Sequence, residues 1–253
     1  MQGLSTYYET QGDGDAIILL HGWGADSNTM RPLLKFLKNN TQKLKVISMD
    51  FPGFGLSDLP PAPWGINDYA QHLLSFMDGL GIPAAILLGH SFGGRVAIKF
   101  AAFHLERVKK LILVDSAGII PKRGINYYSK VLMAKTIKYI NFALQKIGTK
   151  MPFVKKIGSN LGSEDYKHAG KMRGTFVKVV NQDLKEFMPL IKSQTLLIWG
   201  DKDESTPLQD AFIMKTLIPN SSLLVIKGAG HFSFLDNFDS FTKALLPFLG
   251  DYA

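Results

Sequence analysis

The chain has no cysteine, which removes disulfide scaffolds, thiolate nucleophiles and cysteine metal sites at once. Its six histidines contain no His-x-x-x-His pair, so no metal is expected. No apolar run approaches the roughly 18 residues of a membrane span. The start, residues 1–15, is polar where a secretory leader would show a charged head and an apolar core. The expected setting is cytoplasmic, without an integral membrane segment. There is no internal repeat or low-complexity tract. Gly53-Phe54-Gly55 lacks the third glycine and the following helix start of a dinucleotide loop, so no cofactor is expected either.

Acidic residues are scarce in one region. The formal charge is +8, from 29 Lys+Arg and 21 Asp+Glu. Residues 121–192 carry 15 basic against 4 acidic residues, so the remainder is slightly acidic. The excess is read as the solvated face of amphipathic helices, with lysine stems lying over apolar surface. Attraction of anionic substrates, a membrane surface or a protein partner are the alternatives. Nucleic-acid binding is not expected, because no recognised module accompanies the charge.

What the chain does contain is Gly89-His90-Ser91-Phe92-Gly93, set between the apolar run 85–88 and a helix-like stretch from Arg95 to His104. With 24 Gly and 16 Ser, chance alone produces Gly-x-Ser-x-Gly in about one such chain in seven, so the strand-turn-helix context carries the argument. A serine at the tip of so sharp a turn needs neighbours without side chains where strand and helix nearly touch. Gly89, Gly93 and Gly94 meet that need.

A serine hydroxyl needs a base. His231 follows the run 223–226 and the flexible Gly228-Ala229-Gly230, which places it in a loop past a strand's carboxyl end, where open α/β sheets build their sites. His90 is the serine's neighbour and points away from it. His72 and His104 fall on helical segments, His21 on another loop and His168 in an irregular charged stretch. The third group is a carboxylate that fixes the histidine tautomer. Asp203 is the choice: it lies three residues beyond Gly200 and four before Pro207, leaving room for the chain to turn back. Asp201 reads as a turn residue, Glu204 as solvated, and Asp115, ending the run 111–114, as the outside candidate.

Acyl transfer also needs donors for the developing oxyanion. The amide of Trp23, between Gly22 and Gly24, and the amide of Phe92 are the candidates. Trp23, His90, Phe232 and Phe234 are expected to face the substrate.

His21-Gly22-Trp23-Gly24, the run from Asp50 to Asp58, the serine elbow, and Gly200 to Pro207 with Gly230-His231 occur in this order. With them the chain resembles the serine hydrolases of the α/β-hydrolase fold superfamily. The resemblance covers residues 5–120 and 190–250 and carries the chain order Ser91, Asp203, His231. It implies a mostly parallel, twisted sheet flanked by helices, with a helical cap inserted after a strand. An aspartate nucleophile, as in dehalogenases and epoxide hydrolases, is excluded because the elbow holds Ser91. Short apolar runs at 16–20, 44–49, 84–88, 111–114, 195–199 and 223–226 agree, reading as buried parallel strands. The core is expected over 1–120 and 193–253 and the cap over 121–192. Met133, Ile137, Ile140, Leu144 and Ile147 mark an amphipathic helix within the cap.

The expected activity is hydrolysis of a carboxylic ester or related acyl bond of a small substrate with a hydrophobic acyl group, through an acyl-enzyme on Ser91. Other chemistries of the same fold compete: carbon–carbon hydrolysis of a diketone, lactone opening, peracid formation or a lyase reaction. The carbon–carbon hydrolases carry Trp after the histidine where this chain has Phe232. Gly93-Gly94-Arg95 is similar to a menaquinone-pathway lyase. A ligand receptor retaining the triad is the reading from another class. The sequence does not fix the oligomeric state.

Overall fold

A computed structural model describes residues 3–120, 136 and 164–252. Among these residues seven strands form one sheet: β1 (Tyr8–Gln11), β2 (Asp15–Leu20), β3 (Leu44–Met49), β4 (Ala85–His90), β5 (Val108–Val114), β6 (Gln194–Gly200) and β7 (Ser221–Ile226). Their order is β1-β3-β2-β4-β5-β6-β7. Only β1 is antiparallel, pairing with β3, and the other pairings are parallel. The α/β-hydrolase fold class expected from the sequence is therefore the observed one.

The helices among the described residues are α1 (Ser27–Asn40), α2 (Ile66–Gly79), α3 (Phe92–Phe103), α4 (Glu164–His168), α5 (Arg173–Val180) and α6 (Leu208–Leu217) between strands, then α7 (Ser233–Asp236) and α8 (Phe238–Leu249) after β7. Alternate side chains of a strand leave opposite faces, so each central strand feeds two apolar layers. Ile18, Leu20, Leu87, Leu111 and Leu113 pack beneath α2 and α3 with Tyr69, Val96 and Phe100. Ile17, Leu19, Ile86, Leu88, Ile112 and Val114 pack against Met30, Leu33 and Leu37 of α1 and Phe241 and Leu245 of α8. That is why these runs read as continuously apolar rather than alternating. Cutting one such side chain, as in Leu87→Ala, removes about 2 to 5 kcal/mol.

After β2 the chain crosses to β3 on one side, and it then returns to β4 on the other. The reversal opens a crevice beyond the carboxyl ends of β2 and β4, the position that such sheets use for ligands.

Two readings of the sequence need correction. The polar start contains a strand, β1, whose Tyr-Glu-Thr-Gln has no apolar run to reveal it. The run 223–226 is a strand but not a buried one: β7 is an edge, and Leu224 and Val225 are 42% and 38% exposed. The cap expected over 121–192 is described only at residue 136 and from 164 onward, and from 164 to 192 helices occur without a strand. The amphipathic helix through Met133, Ile137, Ile140, Leu144 and Ile147 lies outside the described residues. No helix among the described residues is long and apolar enough to cross a membrane.

Candidate active site

Ser91 sits between β4 and α3 with φ 50° and ψ −109°, a conformation that costs a side chain strain. The glycines around it explain how so tight a turn closes. A Cβ on Gly89 would lie 2.6 Å from the Gly93 carbonyl oxygen, and one on Gly93 would lie 2.2 Å from that of Leu20. No flexible side chain is available to yield at either place.

Three loops deliver one hydrogen-bonded chain. His231 Nε2 lies 3.0 Å from Ser91 Oγ. Its Nδ1 lies 2.8 Å from Asp203 Oδ2. Since a carboxylate only accepts, Nδ1 carries the proton and Nε2 is free to accept one. Asp203 is buried and follows β6, held by the Ser205 and Thr206 amides at 2.8 and 2.9 Å on Oδ1 and by the Thr206 hydroxyl at 2.6 Å on Oδ2. Burial alone pushes its pKa up, but the bonds from His231 and Thr206 outweigh it and leave the carboxyl below its ordinary range. It is an anion facing the imidazole.

Nothing in the sequence reading singles out Thr206, although a hydroxyl three residues after the acid was the available signal. Asp203 takes both amides of the turn as an Asx-type acceptor, and Thr206 closes it. The Trp199 indole anchors the same residue by donating to the Thr206 carbonyl at 2.7 Å.

Asp115, the outside candidate for the acid, is brought elsewhere. Its Oδ1 accepts the Gly200 amide at 2.8 Å, and Oδ2 accepts the Ser233 amide and hydroxyl at 3.0 and 2.5 Å. Fully buried, its carboxyl is pushed up to about 7. It ties the end of β5 to the loop that follows His231 and to the end of β6. Asp201 accepts the Gly228 amide, and Glu204 is exposed.

The histidines divide by environment. His90 Nε2 donates to the His231 carbonyl at 2.7 Å, and burial drives its pKa down to about 3. His72 on α2 bonds the Thr6 hydroxyl, and burial lowers its pKa to about 4. His104 caps the end of α3. His168 closes α4, a helix where an irregular stretch was expected.

Two of the residues expected to face substrate do not. His90 is 1% exposed beneath the His231 loop, and Phe234 is 0% exposed against Phe241. His90 ends β4 with its ring covered by the His231 loop, and Phe234, on α7, turns its ring onto His90 and Phe241 rather than outward. Phe232 is 38% exposed with its ring against His231 and His90. Trp23 is half-buried, its ring meeting Phe54, Phe92 and Phe176 edge to face at 4.9, 5.5 and 5.1 Å. An aromatic wall therefore joins the Trp23 and Phe54 loops to Phe92, which follows Ser91 in the chain, and to Phe176 of α5.

Among the described residues neither the Trp23 amide nor the Phe92 amide has an acceptor. Phe92 opens α3, where helix amides and the helix dipole favour negative charge. The arrangement can thus take a proton from a serine hydroxyl and offer two amides to an anion. Among the described residues no cluster of three His, Asp or Glu could hold a metal ion.

Comparison with known proteins agrees with this fold. A family model described as the alpha/beta hydrolase fold matches residues 15–238. A pimeloyl-[acyl-carrier protein] methyl ester esterase of Legionella pneumophila is 29% identical over 97% of this chain and 100% of its own length. A 2-hydroxy-6-oxononadienedioate/2-hydroxy-6-oxononatrienedioate hydrolase of Escherichia coli is 27% identical, over 97% of this chain and 91% of that one. The solved structure of an esterase from Exiguobacterium antarcticum superposes with a TM-score of 0.74 at 25% identity, covering 98% of this chain and 96% of that one.

Proposed function

We propose that this chain, which belongs to the alpha/beta hydrolase fold family, cleaves a carboxylic ester or related acyl bond through an acyl-enzyme on Ser91. The observation that carries the reading is the unbroken chain Ser91 Oγ, His231, Asp203 ending beside two unengaged amides. Ser91 Oγ attacks the acyl carbon while His231 Nε2 takes its proton. Asp203 holds the Nδ1 proton and stabilises the imidazolium. The Trp23 and Phe92 amides donate to the oxyanion, each worth about 3 to 4 kcal/mol of barrier. As the tetrahedral intermediate collapses, His231 returns the proton to the leaving alcohol. Water, deprotonated by His231, then releases the acid from Ser91.

The wall of Trp23, Phe54, Phe92 and Phe176 supports a hydrophobic acyl group. Phe176 belongs to α5, so the described tail of segment 121–192 touches the loop that carries the oxyanion donor. Trp64 donates its amide to Thr175 in the same helix at 3.0 Å. These contacts support a core of 1–120 and 193–253 with 121–192 as the cap over the serine.

A second reading is carbon–carbon hydrolysis of a vinylogous diketone. It is favoured by the similarity to the Escherichia coli hydrolase, whose name describes such substrates. The position after His231 is Phe232 where those enzymes resemble one another in carrying Trp. The test is turnover of chromogenic esters of rising acyl length beside a vinylogous diketone, with wild type, Ser91→Ala and His231→Ala. Ester turnover should fall by about 10⁴ to 10⁶ in either variant. A folded Ser91→Ala protein that keeps most of its activity would remove the mechanism. Faster diketone turnover would select the second reading.

A further inference from the structure

His21 is the first residue after β2 and is fully buried. Both of its ring nitrogens are engaged. Nδ1 lies 2.7 Å from the Gly22 carbonyl oxygen, and because a carbonyl only accepts, Nδ1 carries the proton. Nε2 is therefore bare and accepts the Phe51 amide at 3.0 Å. The ring stands edge to face with Phe51 and Phe54, centroids 5.1 and 5.4 Å away. Burial holds it neutral by lowering its pKa. One tautomer in one orientation results.

That bond fixes more than a carbonyl. The carbonyl and N–H of a trans peptide unit point to opposite edges of its plane. With the Gly22 oxygen held by His21, and by the Ala25 amide at 3.3 Å, the Trp23 N–H is turned to the other edge. Gly22 itself lies against the nucleophile, since a Cβ there would come within 3.4 Å of Ser91 Cβ. A peptide that follows glycine rotates easily without an anchor. His21 supplies the anchor.

We infer that His21 is a positioning residue for acyl transfer: its Nδ1–H sets the Gly22–Trp23 peptide so that the Trp23 amide faces the oxyanion formed on Ser91. The inference rests on the acyl-enzyme reading above. It concerns a residue that touches neither the substrate nor the reacting atoms.

Asparagine and glutamine separate this role from simple bracing of the two loops. In His21→Asn the side-chain amide sits where Nδ1 was, and in the longer His21→Gln it sits where Nε2 was. His21→Asn therefore keeps the donor to Gly22 and leaves the Phe51 amide alone, while His21→Gln does the reverse. The readouts are kcat and KM on a chromogenic ester, the melting transition, and the affinity of an alkylboronic acid, whose boron bonds Ser91 Oγ and places a hydroxyl where the oxyanion forms. His21→Asn should keep kcat within about tenfold. His21→Gln should lose about 100-fold in kcat and in boronate affinity at unchanged KM, the scale of one missing oxyanion donor.

A glutamine variant as active as the asparagine one, or an equal loss in both with native melting, overturns the inference. Should neither variant fold, the wild-type protein decides: the ¹⁵N-labelled Trp23 amide should shift downfield on boronate binding, and a static resonance overturns it. Boronate affinity that is the same in wild type and Ser91→Ala would instead strike the acyl-enzyme reading itself.

Discussion

Gly200→Ala adds one methyl group at the end of β6 and should disable a site it does not enter. The Gly200 φ is not positive, so alanine is acceptable to the backbone and the effect is steric. The new Cβ would lie 2.3 Å from the Gly230 carbonyl oxygen and 2.4 Å from that of Ala229. These are backbone atoms, about 1 Å or more inside normal contact. Relief requires the 229–231 turn to retreat by roughly that distance, taking His231 with it. The 3.0 Å separation from Ser91 then passes the limit of a hydrogen bond. A misplacement of about 1 Å costs on the order of 10²-fold in rate, and overpacking costs about 1 to 3 kcal/mol. For a chain of this length that lowers Tm by roughly 3 to 10 °C. Ester kinetics and a melting curve on the same preparation test both halves. A lowered Tm with wild-type kcat would refute the coupling of the turn to the imidazole. An unchanged Tm would refute the overlap.

The acid assignment is tested by a pair of variants: Asp203→Asn should lower kcat by about 10⁴, whereas Asp115→Asn should lower Tm and leave most of kcat, and a reversed pattern would transfer the role to Asp115. Thr206→Val removes the hydroxyl from Asp203 and should lower kcat about tenfold at constant KM, with Thr206→Ser restoring it; equal activity in all three would show that the two turn amides suffice. Stability should also fall on acidification. His90 and His72, lowered to about 3 and about 4, stay neutral in the folded chain while the unfolded chain protonates below about 6.5. Each removes about 1.4 kcal/mol per pH unit as pH falls from about 6 to 4.5. His21, which burial also keeps neutral, adds to the loss, while Asp115, raised to about 7, binds its proton more readily when folded and offsets one histidine, leaving a net loss of about 1.4 to 2.8 kcal/mol per unit. Urea midpoints across that window measure the slope, and a flat profile would contradict it.

The parts of this molecule that are legible in its sequence are those where one physical demand leaves one solution. Strands β2 to β6 are buried on both faces, so only apolar runs serve, and such runs are visible. Ser91 stands out because a sharp strand-to-helix turn demands glycines two positions before and two after it. His231 and Asp203 are picked out by loops that follow apolar runs. Side-chain direction is another matter. His90 and Phe234 flank the site in sequence yet lie under it, since the loop beyond β7 folds over the end of β4 and only the three-dimensional path reveals this. The edge strand β1 is equally mute: it is held by backbone pairing to β3 and needs no apolar side chains. The partners of Asp203 come from the turn that follows it, and those of His21 from Gly22 and from Phe51, 30 residues away.

The strained backbone of the chain is concentrated. Among the described residues the only non-glycine positions with positive φ are Ser91 and Asp115, at the ends of adjacent strands β4 and β5. Such conformations cost of order 1 to 3 kcal/mol each, and glycine adopts them freely at an entropic cost of about 0.5 to 1 kcal/mol. Ser91→Gly should therefore yield a protein without turnover that melts above the wild type. Screening a library of this chain for heat resistance alone would drive Ser91 out of it, so any search for more robust variants must read activity in the same round.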